Sequence, residues 1–557
     1  MSLPIRWRRW PVIALAVVAV LLVLGRVGAG IIADYLWYAA MGATALWRER
    51  AVLIGLVTVA SALIAAAILF VNLYVVRQSV VSLVLPRRVA NIEIGEEVPG
   101  RYLVTAAVLI SLVLGWWLAL PADSWRMFSL LRHGLPFGET DPYLDLDLGF
   151  YVYWLPIESM LYYRVLTTAL FATVVVIFFY ALTPSLRWDR GSLYVSHYVR
   201  RHLSALSAFL LLLLAWSYRL DIYGALLAGS GPNNAFSYAD HHTVIPISIW
   251  LAYLTAGTAL AVLYFGWIGQ VRAAWMTLVA VLLVSVLLRH VTPLFMRHYV
   301  AAGAEAGRDV AYEATRRDYT RRAYALQRIE TDASFTPPGR PMDAVGGISV
   351  WDPDVLMRAL GRRALTPLSP GIIEWTSSPD GLRATVVQRP ASDVAESDQS
   401  EWSVARVFAS RVESDGSVAH VVPLRASREP DEVGPVRVAD SLFNYAIIPD
   451  AGGVVPAPSL EGSLARIAYA WALQNFRLLS MDLPRPTPRI VTRRDLSDRL
   501  DALAPFFLQG SEITPIVVAD SLYWAVDLYS ASNSYPLSEG DSIGDSHFSY
   551  LQHAAMA

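Results

Sequence analysis

The apolar run from Ala273 to Leu288 is the last in this chain long enough to cross a bilayer, and it divides the sequence into two kinds of material. Downstream, apolar strings are short and broken by Pro, Gly and charge, and none approaches the roughly 20 residues that a spanning helix needs. Upstream, apolar runs recur at Val12–Leu24, Ala51–Val76, Leu103–Leu120, Val165–Leu182, Leu203–Leu220 and Val244–Ile268, which makes seven in all. The first follows Arg6, Arg8 and Arg9 and has the outline of a signal peptide, but no small-x-small cleavage site follows it. Continued past Arg26 to Ala33 it is long enough to span, with Gly25, Gly28 and Gly30 offering close helix packing.

Charge divides at the same place. Up to Arg289 there are 20 Arg against 14 acidic residues, and from His290 onward 25 Arg against 33, so the second half is net negative. A phosphate-binding face would need a basic surplus there, which argues against a nucleic-acid partner. All 45 basic residues are Arg, which reads as a coding bias of a GC-rich genome. Cysteine is absent, so disulfides, thiolate nucleophiles and Cys-ligated metals are excluded.

Arginine placement in the short loops sets the orientation. With the N-terminus cytoplasmic, the inside segments hold Arg6, Arg8, Arg9, Arg77, Arg87, Arg88, Arg101, Arg187, Arg190, Arg200, Arg201 and Arg272, whereas the outside loops hold Arg48, Arg50, Arg126, Arg132 and Arg219. Seven spans starting inside end outside. The expected fold is therefore a multi-pass α-helical membrane domain of seven transmembrane helices (1–290), an external helix with a Pro/Gly-rich linker (291–347), and a soluble α+β extracytoplasmic domain (348–557) in the cell membrane.

The loop before the fourth span alternates from Tyr143, with Leu144, Leu146, Leu148, Phe150, Val152 and Trp154 on one face and Asp145, Asp147 and Gly149 on the other. Period two predicts an extended amphipathic segment along a surface. Pro156 suits a first helical turn, and Glu158 lies where the helix dipole favours an anion. Glu305–Leu326 reads as a helix with Tyr312, Tyr319, Ala323 and Leu326 as its apolar stripe, and with Glu313/Arg317 and Asp318/Arg322 as i,i+4 pairs. Asp352-Pro353 caps a short helix to Arg362. Hairpins are expected for Ile372–Trp375 with Ala384–Gln388, for Val404–Val412 with Val418–Val422, and for Ile516–Ala519 with Leu522–Leu528. A helix carries Leu464, Ile467, Ala468, Trp471 and Leu478, Leu483–Pro488 is a linker, and Leu496–Leu503 is a short helix. No internal repeat is evident.

Several of these pieces form an ordered set: Phe137-Gly138, Thr140-Asp141-Pro142, Gly149-Phe150-Tyr151 and Leu155-Pro156, then Ala215-Trp216-Ser217-Tyr218-Arg219-Leu220-Asp221, then Ser237-Tyr238-Ala239-Asp240 with His242. Ala314-Thr315-Arg316, Ala323-Tyr324, Arg328-Ile329-Glu330, Trp351-Asp352-Pro353, Ala468-Tyr469-Ala470-Trp471, Val518-Ala519-Asp520, Leu522-Tyr523-Trp524 and Tyr535-Pro536 follow. The set resembles the seven-helix bacterial membrane proteins grouped as uncharacterised protein family (UPF) number 0182. The resemblance implies an integral membrane protein with a large external domain and supplies no activity or catalytic residue. Members usually continue well beyond this point, and Phe548-Ser549-Tyr550-Leu551 reads as the start of a segment that goes on, which implies a short or truncated member.

Four arginines fall at outer helix ends: Arg26, Arg164, Arg219 and Arg289. Together they are candidates for an outer-leaflet anion or lipid-headgroup contact. The plainer reading is snorkelling arginines paired with Asp34, Glu158 and Asp221. Asp240-His241-His242 with His290 and His298 offers metal-ligating types, but adjacent histidines rarely face one ion and surface histidines are the plainer account. Asp141, Asp145 and Asp147 lack the further ligands of a calcium loop. Gly540-Asp541-Ser542-Ile543-Gly544 matches G-x-S-x-G without the strand and helix that a nucleophile elbow needs. Arg316, Arg317, Arg321 and Arg322 offer phosphate contacts or, with carboxylates at i−4, an ion-paired wet face. No catalytic, cofactor-binding or metal-binding residue is assigned.

The sequence thus reads as a bilayer-embedded envelope interaction or assembly factor rather than an enzyme, with envelope proteins or anionic lipid as partners. A transporter or lipid-handling protein is the alternative, which intramembrane carboxylates or broken helices would favour; neither is evident in the sequence, since spans two, three and seven carry no ionisable residue inside. An external hydrolase would need a convergent triad or metal cluster.

Overall fold

A computed structural model describes residues 10–80, 100–182, 186–189, 192–291, 308–329, 348–361, 372–378, 381–388, 403–424, 445–448, 457–480, 488–493, 496–518, 521–543 and 546–557. Six helical stretches are long and apolar enough to cross a membrane: Val17–Ala40, Thr44–Arg77, Phe150–Ala181, His197–Leu227, Asp240–Ile268 and Val271–Arg289. A seventh, Arg101–Trp117, passes the same test together with Ala122–His133, from which it is bent by 61°. The chain falls into two compact units: residues 50–329 with 531–552, and residues 1–49 with 330–530 and 553–557. Compactness thus cuts the chain along different lines from hydropathy.

In the helical unit, α2 (Thr44–Val80), α3 (Gly100–Trp117), α4 (Trp125–His133), α5 (Leu155–Ala181), α6 (His197–Leu227), α7 (Ile245–Ile268) and α8 (Val271–Val286) are followed by α9 (Val310–Ala323). Lipid offers helices no hydrophobic drive to associate, so small residues and interhelical hydrogen bonds must hold them. Both are present. A Cβ on Gly115 of α3 would lie 2.6 Å from Ala66 Cβ and 2.7 Å from the Ala62 carbonyl of α2. His202 of α6 bridges Tyr180 Oη of α5 (2.7 Å) and Asn72 Oδ1 of α2 (3.0 Å). Strands β1 (Leu186–Asp189) and β2 (Ser192–Val195) form a small antiparallel hairpin before α6.

The expected helix before the linker is present as α9. Tyr319 and Ala323 are buried, Tyr312 is partly so, and Leu326 stands exposed beyond its end. Asp318 pairs with Arg322, which also reaches Glu139. Residues 305–307 of that expectation lie outside the described residues. Beside α9 lie Tyr535 and Leu537 from the later part of the chain, with the Leu537 amide donating to the Leu226 carbonyl at 2.8 Å.

The second unit is built on antiparallel sheet. β3 (Ile372–Ser378), β4 (Gly381–Gln388), β5 (Ser403–Val412) and β6 (Val418–Leu424) form a meander, and α10 (Pro353–Gly361) buries Leu356 and Leu360 on Ala384, Val386 and Val407. Asp352 Oδ1 caps α10 by accepting the Asp354 and Val355 amides. β7 (Tyr445–Ile448) pairs with β8 (Arg489–Thr492), and this pair packs with α11 (Ser463–Ala472) and α12 (Arg477–Ser480). The expected helix through Leu478 is interrupted because Gln474 takes a left-handed φ of 55° and Asn475 Oδ1 restarts the chain by accepting the Arg477 amide. α13 (Leu496–Leu503) stands as predicted, and the last predicted hairpin is longer than expected, with β9 (Leu508–Val518) against β10 (Ser521–Ser532). Leu483–Thr487 of the expected linker lies outside the described residues.

The first apolar run belongs to this unit. α1 (Trp10–Ala40) carries Ala33 into the core formed by Tyr445, Ile447, Leu460, Tyr469 and Ile490. Gly25 meets the Trp471 ring rather than another long apolar helix, and Gly28 and Gly30 meet nothing.

Replacing Gly115 by Leu forces α2 and α3 apart and is expected to cost about 1–3 kcal/mol. Gly55→Leu, at a site with open space around it, should leave stability near that of the parent. Thermal unfolding of the detergent-solubilised protein separates the two outcomes.

Candidate functional site

The candidate site is built where α5 and α7 begin. Both helices contain a proline near the start, Pro156 and Pro246, and a proline ring clashes with the carbonyl four residues earlier while removing a backbone donor. In both, a π-helical turn stands immediately upstream, Phe150–Trp154 and Asp240–Val244. The wider i→i+5 turn accommodates the ring. Single π-turns are rare and concentrate at functional sites. A third, Leu287–Val291, ends α8.

Carboxylates fix these helix starts. Asp147 accepts the Gly149 amide at 2.7 Å and the Phe137 and Gly138 amides at 3.2 and 3.0 Å, so it caps the turn that leads into α5. Asp141, almost wholly buried, accepts the Tyr143, Leu144 and Leu146 amides and the Tyr151 hydroxyl. Ahead of α7, Ser237 and Asp240 exchange bonds as a capping box, the Ser237 amide to Asp240 Oδ2 at 2.9 Å and the Asp240 amide to Ser237 Oγ at 3.3 Å. Asp240 also takes the Ser230 amide at 2.8 Å. These bonds correct one expectation. The alternating segment from Tyr143 is not an extended strand: Asp141 and Asp147 draw the backbone into turns, Asp145 takes φ 56°, and helix begins at Leu148. Local aspartate acceptors outcompete the period-two pattern.

Leu148, Tyr151 and Leu155 from the start of α5, Phe236 and Ile245 from the start of α7, and Tyr319 and Ala323 from α9 share one apolar cluster. Tyr143 stacks on Tyr312 with ring centroids 5.5 Å apart. Beside this cluster, between α6, α7 and the end of α8, lies a cavity of about 450 Å³. Its walls include Ala225, Ile247, Leu251 and Leu288, with Tyr218, Ser230, Ser248, Asp221, Asp240 and Arg289 as its polar members. Two of these π-turns line it, through Asp240 and Val244 and through Leu288 and Arg289. Asp221 and Arg289 form an ion pair at 2.9 Å across it, and Tyr218 bonds to Ser285 behind it.

The predicted arginines separate. Arg289 lines the cavity. Arg219 pairs with buried Glu158, whose carboxylate also accepts the indole N–H of Trp154 at 3.0 Å and of Trp216 at 2.9 Å. Arg164, on α5, makes no ion pair with a described residue. Arg26 belongs to the other unit, where its guanidinium donates to the Trp471 carbonyl at 3.3 Å, and Asp34 pairs there with Arg493 rather than with Arg26. His241 bonds to the Tyr312 hydroxyl at 2.9 Å and His242 packs on the Tyr238 ring. His298 and the side chain of His290 lie outside what is described. Among the described residues no three His, Asp or Glu converge as a metal site. Ser542 lies in the short hairpin of β11 (Asp541–Ile543) and β12 (Ser546–Phe548), a place without the strand–turn–helix of a nucleophile elbow. Arg316 donates to the Pro232 and Asn233 carbonyls.

Glu158 and Asp221 pair with Arg219 and Arg289 as the plainer reading of those arginines expects, although the apolar runs in the sequence stop short of both carboxylates. The helices do not stop there: α5 begins at Leu155 and α6 continues to Leu227. The S-x-x-D spacing of Ser237 and Asp240 is a readable helix-start signal.

Removing the Asp141 acceptor leaves three amides and a phenol unsatisfied in a buried place, so Asp141→Ala should cost on the order of 3–5 kcal/mol. Asp145→Asn keeps the left-handed tolerance and the oxygen facing Thr140, and should change stability by no more than about 0.5 kcal/mol. Chemical or thermal unfolding in detergent checks both. Burial, reinforced by the Glu139 carboxylate, pushes the Tyr319 phenol up to about 12. The folded value is the higher one, so the contribution is full below the unfolded value of about 10 and is lost as pH rises from there towards 12. Tyr319→Phe should shrink the alkaline loss of stability in that window.

A family model described as "Uncharacterised protein family (UPF0182)" matches residues 11–360 and 450–555. The chain is similar to UPF0182 proteins of Kocuria rhizophila (24% identical, covering 92% of this chain and 57% of the relative) and Desulforamulus reducens (23%, covering 92% and 62%). A UPF0182 protein of Moorella thermoacetica is 23% identical, with 96% and 64% covered. The chain therefore spans less than two thirds of the length of these relatives. No solved structure matches it. With most of its length matched by the family model, the chain belongs to the uncharacterised protein family UPF0182.

Proposed function

We propose that this chain is a multi-pass protein of the cell membrane that holds the phosphate-bearing head of a membrane lipid in the cavity between α6, α7 and α8. The observation that carries this reading is the Asp221–Arg289 ion pair set into an otherwise largely apolar cavity whose walls include two π-turns. Charged residues in spanning segments are costly and tend to mark substrate paths. Intramembrane carboxylates and interrupted helices are also the features that favour lipid handling over a purely structural role. Arg289 supplies a guanidinium whose paired donors suit a phosphate, and Asp221 supplies the counter-charge that a headgroup ammonium would take up. The apolar residues Ile247, Leu251 and Leu288 would line the first carbons of the acyl chains. In the same reading Arg164 and Arg219 mark the headgroup level around this unit.

The proposed topology counts α3 with its bent partner α4 as one span, which gives seven, with the N-terminus cytoplasmic and the α+β region extracytoplasmic. The arginine distribution in the loops supports it. A second reading, an envelope interaction or assembly factor, is favoured by the β6 edge of the four-stranded meander. Among the described residues β6 pairs with β5 alone, which leaves backbone groups that a partner strand can pair with.

The test is native mass spectrometry of the full chain released from its own membrane in mild detergent. The lipid reading expects a retained phospholipid that Arg289→Gln loses at least tenfold, while Arg272→Gln retains it. Equal retention in both variants overturns it. A stoichiometric protein with no retained lipid carries the function to the meander instead.

A further inference from the structure

We infer that α11 and α12 form a foot of the α+β unit that lies in the lipid beside α1, in the leaflet crossed by the second half of that helix. The inference rests on α1 as a span and is independent of the cavity. From Leu15 to Leu24 α1 exposes apolar side chains around its circumference, including Leu15, Leu21, Val23 and Leu24. From Gly25 onward one face is covered: Ala29, Ala33 and Trp37 are buried, while Val27, Ile31 and Tyr35, at i, i+4 and i+8, remain exposed. At about 1.5 Å per residue, the roughly 30 Å hydrocarbon layer takes about 20 residues, which from Val12 reaches Ile31. The covered and the lipid-facing sides of α1 therefore share the same depth.

What covers α1 at that depth is α11. The Trp471 ring lies against Gly25, and the Tyr469 hydroxyl donates to the Ala33 carbonyl at 3.1 Å. Arg26, a charge within the apolar run, is satisfied by the Trp471 carbonyl near the C-terminal end of α11, where the helix dipole is negative. An arginine held this way needs its partner at bilayer depth. α11 and α12 in turn present large apolar side chains outward: Leu464 is 64% exposed and Phe476 57%, with Ile467 and Leu479 also exposed. Arg466 ties the two helices by donating to the Leu478 and Leu479 carbonyls. An amphipathic pair that buries one face on a spanning helix and exposes the other at the same level has lipid as its partner.

The chain contains no cysteine, so single cysteines can be placed in it without background. The full chain is reconstituted in phosphatidylglycerol and phosphatidylcholine vesicles with a nitroxide at position 464, 467, 476 or 479, with Val20→Cys as the lipid reference and Tyr523→Cys as the water reference. Accessibility to oxygen relative to a water-soluble nickel complex is expected to match the Val20 label and to exceed the Tyr523 label several-fold. Ratios at the Tyr523 level overturn the inference. So does shielding of all four labels from both reagents, which would mean that protein rather than lipid covers the foot.

Discussion

A proline at the start of a long apolar helix is the constraint that the helical unit is arranged around. Pro156 and Pro246 each remove a backbone donor and crowd the carbonyl four residues earlier, so the regular ladder cannot run through them. The π-turn before each makes room for the ring, and it must be held by something firmer than helix propensity. Asp147 and the Ser237–Asp240 box provide that, each gathering several backbone amides on one carboxylate. Fixing the two helix starts brings Leu148, Tyr151, Phe236 and Ile245 into one cluster, and α9 then has an apolar surface on which Tyr319 and Ala323 can be buried. The aromatic stack around Tyr143 and the cavity beside it are consequences of the same two helix starts.

Hydropathy makes the long helices readable, and turn chemistry makes the meander readable: Ser378-Pro379-Asp380-Gly381 and Ser414-Asp415-Gly416 stand where the pairings of β3 with β4 and β5 with β6 place their turns. The loop at Tyr143 misleads because its leucine–aspartate alternation fits a strand as well as it fits turns anchored by aspartates. Period alone cannot tell whether Asp141 faces water or accepts three amides from its own loop. The site itself is half legible. Arg289 and Asp221 are each visible as charges near helix ends, but their pairing joins the end of α8 to α6, and the wall between them comes from a π-turn that no residue pattern announces.

Charge at the helix ends follows one pattern. Arg219, Arg289 and Arg26 each meet an acceptor that the fold has otherwise committed: Arg219 the carboxylate already holding two indoles, Arg289 the carboxylate in the cavity wall, Arg26 a helix-end carbonyl. In both ion pairs the arginine is about half exposed, so solvent screens the attraction and each adds little net stability. Their value lies in specifying which helices meet. Glu158 illustrates this, since Trp154 and Arg219 can satisfy it together only when the start of α5 lies beside the end of α6.

The division of α1 from the other long helices follows from the same matching of partners. Its second half offers Gly25, Ala29 and Ala33, a face of small residues that suits close approach by another helix. The partner that takes this face is α11, and the contact is sealed by further groups of the α+β unit: Arg493 stacks on the Trp37 ring at 4.1 Å while pairing with Asp34 at 2.6 Å, and Tyr38 donates to the Ala502 carbonyl. The second half of α1 is thus covered on one face, while its first half, from Leu15 to Leu24, exposes apolar side chains. Hydropathy ranks α1 with the long apolar helices, and its contacts rank it with the α+β unit; a helix of 31 residues has length for both.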